Sequence, residues 1–250
     1  MKISFIWENK ILRKILITAF WLLVWQISSM AIGEEILLVS PLNALKKLAE
    51  LMGTEDYWMA IFTSLYKIFI GLILSVIIGV ILSVFSFLSN LFKELIYPVI
   101  IFLKSIPVAG FVILLLVWIN SSYMSIYIAF FMGMPVIYEN VCEGLFSTDK
   151  KLREMADSFK ITLLKRLKYI YRIKVTPYLR AGITSISGLT FKAGIAAEVI
   201  GLQKNSIGEH LHNARIYLNM PDLFAWIITI LLLSMILEKG IKIILGRKNA

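Results

Sequence analysis

The stretch Ile68–Leu88, 21 residues without a charged side chain, limits the possible folds of this chain more than any other feature. About 20 apolar residues in a helix are needed to cross the hydrocarbon core of a bilayer. The 250-residue chain is 59% hydrophobic and 17% charged, whereas soluble domains are about 45–50% apolar and about 25% charged. No soluble core of this size could bury so many apolar side chains, so we predict an integral membrane protein.

Five further apolar stretches meet or approach the length of a membrane span. Together with Ile68–Leu88 they predict an all-α polytopic membrane protein, with six transmembrane helices in a single transmembrane domain over residues 1–250. The other predicted spans are Ile15–Gly33, Leu95–Ile119, Tyr123–Leu145, Tyr178–Ile200 and Leu223–Ile244.

Basic side chains lie mostly on one side of this six-span topology. The segment Thr148–Thr176, between the fourth and fifth spans, has nine Lys or Arg residues. Cytoplasmic loops are enriched in Lys and Arg, which predicts a cell-membrane protein with this segment and both termini in the cytoplasm. The net charge of +10 then belongs to these loops and gives no reason to expect nucleic-acid binding. The basic residues near the termini are Lys2, Lys10, Arg13, Lys14, Lys239, Lys242, Arg247 and Lys248.

Small residues recur every fourth position in the second span, at Gly71, Ser75, Gly79 and Ser83. Residues four apart lie on one face of a helix. Small side chains let two helices approach closely in lipid, so we expect this face to contact another helix of the chain or of a second copy.

Several charged side chains lie within the predicted spans, among them Lys104 in the third span and Lys192 and Glu198 in the fifth. A Lys at the centre of a membrane helix costs about 2.5–3.5 kcal/mol on insertion scales, and such residues usually face protein or a water-filled cavity. All three are therefore candidates to line a transport pathway. The alternative for Lys192 is a structural ion pair, with Glu139 of another helix as a possible partner, or a side chain that reaches outward to the interface.

Pro107 lies well inside the third predicted span. Proline removes a backbone donor and clashes with the preceding turn, so we expect the helix to break or kink there. Broken helices in transporters often border a cavity or binding site, which makes Pro107 a further candidate for the pathway. A kink without a transport role is the alternative.

The segment between the fourth and fifth spans has its own periodicity. Leu152, Ala156, Phe159 and Leu163 recur at helical spacing, which predicts one amphipathic helix with a narrow apolar stripe. Such a helix can lie on anionic lipid headgroups, can belong to a solvated basic loop, or can dock onto a partner protein. The periodicity does not distinguish these three possibilities.

Glu154-Met155-Ala156 followed by Lys160, with Pro177 opening the next span, resembles the EAA loop of ABC-transporter permeases of the binding-protein-dependent importer type. The chain departs from that family's pattern in three places: Met155 replaces an Ala, Lys160 stands where the family has Gly, and Arg172-Ile173 stands where the family has Leu-Pro. Further segments resemble the nitrate/sulfonate/taurine-type permeases in order and spacing. These are Ser40–Leu45, Ser64–Gly71, Lys104–Pro107, Pro177–Gly182, Ala196–Gly201, Ser206–Gly208 and Asn213–Arg215.

The resemblance implies the transmembrane permease subunit of an ATP-driven importer for a small solute, working by alternating access. It implies a separate cytoplasmic ATPase that holds ATP and Mg²⁺, an extracytoplasmic substrate-binding protein, and a second permease copy or related permease in the same bilayer. It also places the ATPase contact on the loop helix. The implied contact residues are Leu152, Glu154, Ala156, Phe159 and Lys160.

Two other functional classes remain as alternatives. A secondary carrier or channel without an ATPase would not need a long amphipathic cytoplasmic helix. An intramembrane enzyme would need a catalytic motif, and the sequence has neither H-E-x-x-H nor G-x-S-x-G. The phosphate-binding motif G-x-x-x-x-G-K-[ST] is missing as well, so we expect no ATP hydrolysis and no cofactor in this chain. His210 and His212 have no Cys and few carboxylates nearby, and we predict no metal site.

Overall fold

The computed structural model describes residues 10–246, and within this range the chain forms helices and no β-strand. Lys2, Arg247 and Lys248, which entered the charge argument, lie outside the described residues. The helices are α1 Lys10–Ile32, α2 Pro41–Met52, α3 Glu55–Leu88, α4 Asn90–Ser105, α5 Val108–Leu115, α6 Met124–Phe146, α7 Lys150–Ser158, α8 Leu163–Arg166, α9 Arg172–Gly201, α10 Ile207–Ile216 and α11 Met220–Gly246.

Among the described residues, five helices are long and apolar enough to cross a membrane, or six if the bent pair α4 and α5 counts as one span. The prediction of an all-α polytopic membrane protein is confirmed. Two spans extend beyond their predicted limits, because α3 begins at Glu55 and the helix ending at Gly201 is continuous from Leu167. Hydropathy marks only the part of a helix in hydrocarbon, and both helices continue through residues that form helix equally well outside it.

The predicted third span, Leu95–Ile119, is not one straight helix. It breaks between α4 and α5, whose axes differ in direction by 109°. Pro107 lies at the break, and Ile106 before it is extended, with φ −75° and ψ 129°. A residue preceding proline is driven out of the helical region by the proline ring. The break predicted at Pro107 is therefore confirmed.

The chain divides into two compact units. The smaller comprises residues 10–58 and 210–230 of the described range. Within it, Tyr57 packs its ring on Trp226 with centroids 5.0 Å apart, and its hydroxyl lies 3.0 Å from the Thr229 hydroxyl. The His210 ring stacks on Trp226 with centroids 4.7 Å apart. Lys47 lies 3.4 Å from the Asp222 carboxylate; burial opposes its charge, but acidic neighbours outweigh this and raise the pKa of Lys47.

The larger unit comprises residues 59–209 and 231–246 of the described range. Its core forms where α6 packs on α9 and on the small-residue face of α3. A Cβ added at Gly71 would lie 2.4 Å from the Ile126 carbonyl oxygen, and one at Gly79 would lie 2.8 Å from the Ile137 side chain. The Ser83 hydroxyl donates to the Tyr138 carbonyl at 2.9 Å. The predicted close helix contact along this face is confirmed, and its partner is α6.

Candidate functional site

The segment that precedes α9 is a short helix closed by a tight turn. Asp149 caps α7 by accepting from the Lys151 amide at 3.0 Å. At the other end, Lys160 has φ +50°, its amide donates to the Asp157 carbonyl at 2.9 Å, and the Ile161 amide donates to the Ala156 carbonyl at 3.0 Å. These two bonds and the left-handed residue form a Schellman motif, which ends a helix. The predicted continuous helix from Leu152 to Leu163 is therefore wrong, because α7 stops at Ser158.

Arg166, which the sequence reasoning did not single out, holds this turn together. Its guanidinium donates to the Ala156 carbonyl at 3.1 Å and to the Ile161 carbonyl at 2.6 Å, and it forms an ion pair with the Asp157 carboxylate. Three acceptors from the end of α7 and the following turn thus bind the N–H donors of one planar guanidinium group, which we call the Arg166 fork. We name residues 149–166, including α7, the turn and Arg166, the loop-helix segment.

The loop-helix segment presents only part of the residue set expected from the resemblance. Ala156 is 1% exposed and Leu152 is half-buried, whereas Glu154 and Lys160 are exposed. Phe159 follows the last helical residue and is 76% exposed. The outward surface therefore combines the Phe159 ring and the exposed Met155 with charged side chains, while Ala156 faces inward.

The position of Lys160 explains why glycine suits this turn. A left-handed backbone costs an L-residue roughly 1–2 kcal/mol, while glycine adopts it readily. Lys160 stands where the family pattern has Gly. The turn is kept, because the hydrogen bonds from Lys160 and Ile161 and the Arg166 fork surround the strained residue.

A buried carboxyl group lies at the opposite end of α9. Glu198 is 0% exposed. Its Oε2 accepts from the Ser64 hydroxyl at 2.7 Å and from the Gly208 amide at 3.2 Å, and its Oε1 accepts from the Gln203 side-chain amide at 3.2 Å. The Ser64 hydroxyl accepts in turn from the Ile207 amide at 3.0 Å. One carboxyl group thus joins α3, α9, the loop after α9 and the first turn of α10.

This arrangement, which we name the Glu198 cluster, requires close contact between α9 and α10. A Cβ added at Gly208 would lie 2.3 Å from the Glu198 Cβ and 2.6 Å from its carbonyl carbon. The chain reverses between the two helices at Leu202, whose φ is +52°. Ser125 of α6 completes the cluster by donating to Gln203 Oε1 at 3.0 Å. In this conformation Glu198 is an internal hydrogen-bonding residue, and its part in a pathway stays a prediction.

Lys104 and Lys192, the two lysines considered for the pathway, have different surroundings. Lys104 donates to both carboxylate oxygens of Glu139 at 2.7 Å, and both residues are about half exposed. The suggested pair between Lys192 and Glu139 is wrong. Asn140, next to Glu139, packs at Gly182, ten residues or about 15 Å along α9 from Lys192. Within residues 10–246, the structure gives Lys192 no ion-pair partner, and its side chain is exposed.

Lys192 lies on a face of α9 that differs from the apolar surface of a neighbouring span. The exposed positions Ala181, Ser185, Leu189 and Lys192 follow helical spacing. Of the described residues 181–201, Leu189 alone is an exposed large apolar side chain, whereas α11 exposes Leu231, Leu232, Met235 and Ile236 within two turns. Lys192 is nine residues from Gly201, about 14 Å along the axis, near the middle of an apolar core about 30 Å thick. The face suits contact with protein or water better than contact with lipid.

The sequence family described as the binding-protein-dependent transport system inner membrane component matches residues 71–238. The chain belongs to this family. The match covers α3 from Gly71 through most of α11, and with it the loop-helix segment and α9. The permease character predicted from the sequence is thereby established.

The permease is similar to characterised and inferred members of this family. It is 26% identical over 198 residues to the formylaminopyrimidine transport permease protein of Halalkalibacterium halodurans, covering 78% of this chain and 74% of that one. It is 25% identical over 211 residues to the nitrate import permease protein of Synechocystis, covering 79% and 75%. A putative aliphatic sulfonates transport permease protein of Bacillus subtilis is 20% identical over 236 residues, covering 93% and 85%.

Several residues of these sites escaped the sequence reasoning. Ser64 and Gly208 lie 144 residues apart, and only the packing of α3 against α9 and α10 brings them to the same carboxyl group. Gln203 follows the end of α9 in a loop whose course the sequence pattern does not predict. Ser64 and Gly208 both belong to segments that carry the resemblance, which is the one signal in the sequence that these positions are special.

Proposed function

We propose that this permease moves a small solute by alternating access, driven by a separate ATPase that docks on the loop-helix segment. ATP and Mg²⁺ belong to that partner chain. The positive-inside bias places this segment and both termini in the cytoplasm. The observation that carries the proposal is the exposed Phe159, held in place by the closed turn at Lys160.

A groove on the ATPase would take the Phe159 ring, with Glu154 and Lys160 at the rim of the contact. Ala156 does not contact the ATPase in this arrangement, because its side chain is buried within the loop-helix segment. Its small size instead lets the Arg166 fork reach the end of α7. Movement of the docked segment would pass directly to α9, because only the π-helical turn of residues 167–171 separates them.

The transport pathway follows the exposed face of α9. Its scarcity of large apolar side chains and the unpaired Lys192 near mid-depth support a water-filled surface shared with a second permease copy or a related permease. Lys104 and Pro107 would border the same pathway, with the helix break giving α4 and α5 room to move separately. An extracytoplasmic binding protein would deliver the solute. The relatives named above carry a formylaminopyrimidine, nitrate or sulfonates, and we extend to this chain only the class of small polar solutes.

Replacing Phe159 by Ala tests the docking proposal. Loss of an aromatic anchor from a buried interface costs about 2–4 kcal/mol, so the variant should weaken ATPase binding by roughly 30- to 1000-fold. Membrane insertion should be unchanged, because the ring makes no large buried contact within the permease. The measurement is ATPase retained on the affinity-purified permease in detergent, together with solute uptake by cells.

Trp118→Ala is the matched control for this experiment. Trp118 is 71% exposed and follows α5, near the end of the protein opposite the loop-helix segment. We expect it to leave ATPase retention at the wild-type value. Normal retention and normal uptake in the Phe159 variant would eliminate the proposed anchor, and equal loss in both variants would point to general destabilisation.

A further inference from the structure

A groove of about 720 Å³ runs between α3, α6 and the first turns of α9, all within the larger unit. We name it the basic groove. Its floor is apolar and comes from three elements, with Val84 of α3, Leu145 of α6 and Val175 of α9 as examples. One edge carries Lys168 and Arg172. The groove thus joins an apolar interior to a cationic rim, a combination that neither water nor a purely apolar partner would satisfy.

The helical register separates the two parts of the basic groove. Leu167, Tyr171 and Val175 are four residues apart and face inward, and Tyr171 is 7% exposed. Lys168 follows Leu167 in the sequence and Arg172 follows Tyr171, and both basic side chains lie on the neighbouring exposed face. Residues 167–171 form a π-helical turn, a local widening of the helix that is frequent at functional sites.

The residues that line the basic groove indicate the level of its rim. Lys168 and Arg172 line it together with Leu145, the last residue of its apolar stretch, and Val84, four residues before the end of another. The rim therefore lies close to the end of the apolar stretches, near the level of lipid headgroups. Val80 and Val84 lie within the last three turns of α3 and line the apolar part of the groove. The charged rim and the apolar floor thus straddle the boundary between headgroups and acyl chains.

The charge of the rim is not compensated within the described chain. Between Leu163 and Arg180 the sequence has six basic residues and no acidic residue. The structure gives Lys168 and Arg172 no carboxylate partner within residues 10–246, and the Lys168 ammonium lies 5.5 Å from the centroid of the Tyr169 ring. A ligand that supplies a negative charge at this edge and an apolar chain toward Val84 would complete both parts of the basic groove.

We propose that the basic groove binds an anionic phospholipid, with its phosphate headgroup on Lys168 and Arg172 and an acyl chain along the apolar floor. Basic pockets between membrane helices near the headgroup level have the chemistry that such lipids require. The lipid would fill the space between α3, α6 and the start of α9 and fix the helix that leads from the loop-helix segment into the membrane. This inference depends on membrane insertion alone and holds whether or not an ATPase docks on the permease.

Native mass spectrometry of the purified full-length permease tests the proposal, with dioleoyl phosphatidylglycerol and dioleoyl phosphatidylcholine as probes. Each basic residue near a headgroup contributes about fivefold in affinity. We therefore expect one site that prefers phosphatidylglycerol by about 10- to 30-fold. The double variant Lys168→Gln, Arg172→Gln should bind both lipids equally. Val84→Trp should fill the floor and lower the affinity for both lipids.

Lys174→Gln is the matched control, because Lys174 is exposed on the same helix but does not line the groove. It should keep the full preference for phosphatidylglycerol. Equal affinity of the wild-type protein for the two lipids would overturn the proposal. The same conclusion would follow from an unchanged preference in the double variant, or from an equal loss in the Lys174 variant. Thermal unfolding of each variant in the same detergent separates lost binding from lost folding.

Discussion

The chain turns at both ends of α9, and different contacts hold the two turns. The loop-helix segment before α9 is closed by backbone hydrogen bonds and by the Arg166 fork, with Glu154, Phe159 and Lys160 exposed. The Glu198 cluster after α9 is closed by a carboxyl group with 0% exposure. Each end has a non-glycine residue in the left-handed region, Lys160 in the first and Leu202 in the second.

The difference shows where each end can tolerate change. A surface turn held by several bonds to water-accessible groups loses little when one of them is removed, because water replaces the missing partner. A buried carboxyl group has no such substitute, and its donors remain unsatisfied when it is lost. We therefore infer that the residues of the Glu198 cluster keep their relative positions when the permease changes conformation. The loop-helix segment, by contrast, can transmit movement.

Gly208→Ala should have the largest effect on folding. Its Cβ would lie 2.3 Å from the Glu198 Cβ and 2.6 Å from backbone atoms, so α9 and α10 would have to move apart. Overpacking typically costs about 1–3 kcal/mol, and contact with backbone places this variant at or above about 3 kcal/mol. The free energy of unfolding in mixed micelles measures the loss. Gly240→Ala, whose Cβ would meet no atom within 4 Å, should be neutral or slightly stabilising; equal behaviour of the two variants would contradict the close contact.

Glu198→Ala should have the next largest effect. It leaves the Ser64 hydroxyl, the Gly208 amide and the Gln203 amide without their acceptor, and we expect a loss of about 2–4 kcal/mol in the free energy of unfolding. Glu198→Gln keeps the shape and one acceptor oxygen and should lose only about 1 kcal/mol. The same unfolding assay separates the two variants. A Glu198→Ala protein as stable as the wild type would mean that the hydrogen bonds of the Glu198 cluster do not hold this part of the permease together.

Lys160→Gly should have the smallest effect, and it should be stabilising. Glycine removes the strain of the left-handed backbone but adds freedom to the unfolded chain, leaving a gain of about 0.5–1 kcal/mol. The measurement is hydrogen exchange at the backbone amides of positions 160 and 161, which should be slower in the variant than in the wild type. Lys151→Gly, in the helical part of the same segment, should speed exchange because glycine costs about 1 kcal/mol there. Faster exchange in the Lys160 variant would show that the side chain, rather than the backbone, holds the turn.

Most of the fold class could be predicted because hydrophobicity and charge act along the chain. Ile68–Leu88 indicates a span without knowledge of its neighbours, and Pro107 indicates a break because its ring excludes the helical backbone before it. The end of the loop helix could not be predicted in this way. Phe159 continues the apolar spacing of Leu152 and Ala156, but the turn closed by Arg166 ends the helix first, and this contact depends on a residue nine positions beyond Asp157.

The sequence by itself determined that the protein is helical, that it spans a membrane several times, and that it resembles an importer permease, because local hydropathy and short motifs carry that information. Only the tertiary structure decided which polar groups meet. It paired Lys104 with Glu139, left Lys192 exposed on α9, and enclosed Glu198 between Ser64 and Gly208. A side chain in the bilayer is buried, paired or exposed according to the helix that packs beside it, and helix packing joins residues whose separation in the sequence carries no signal.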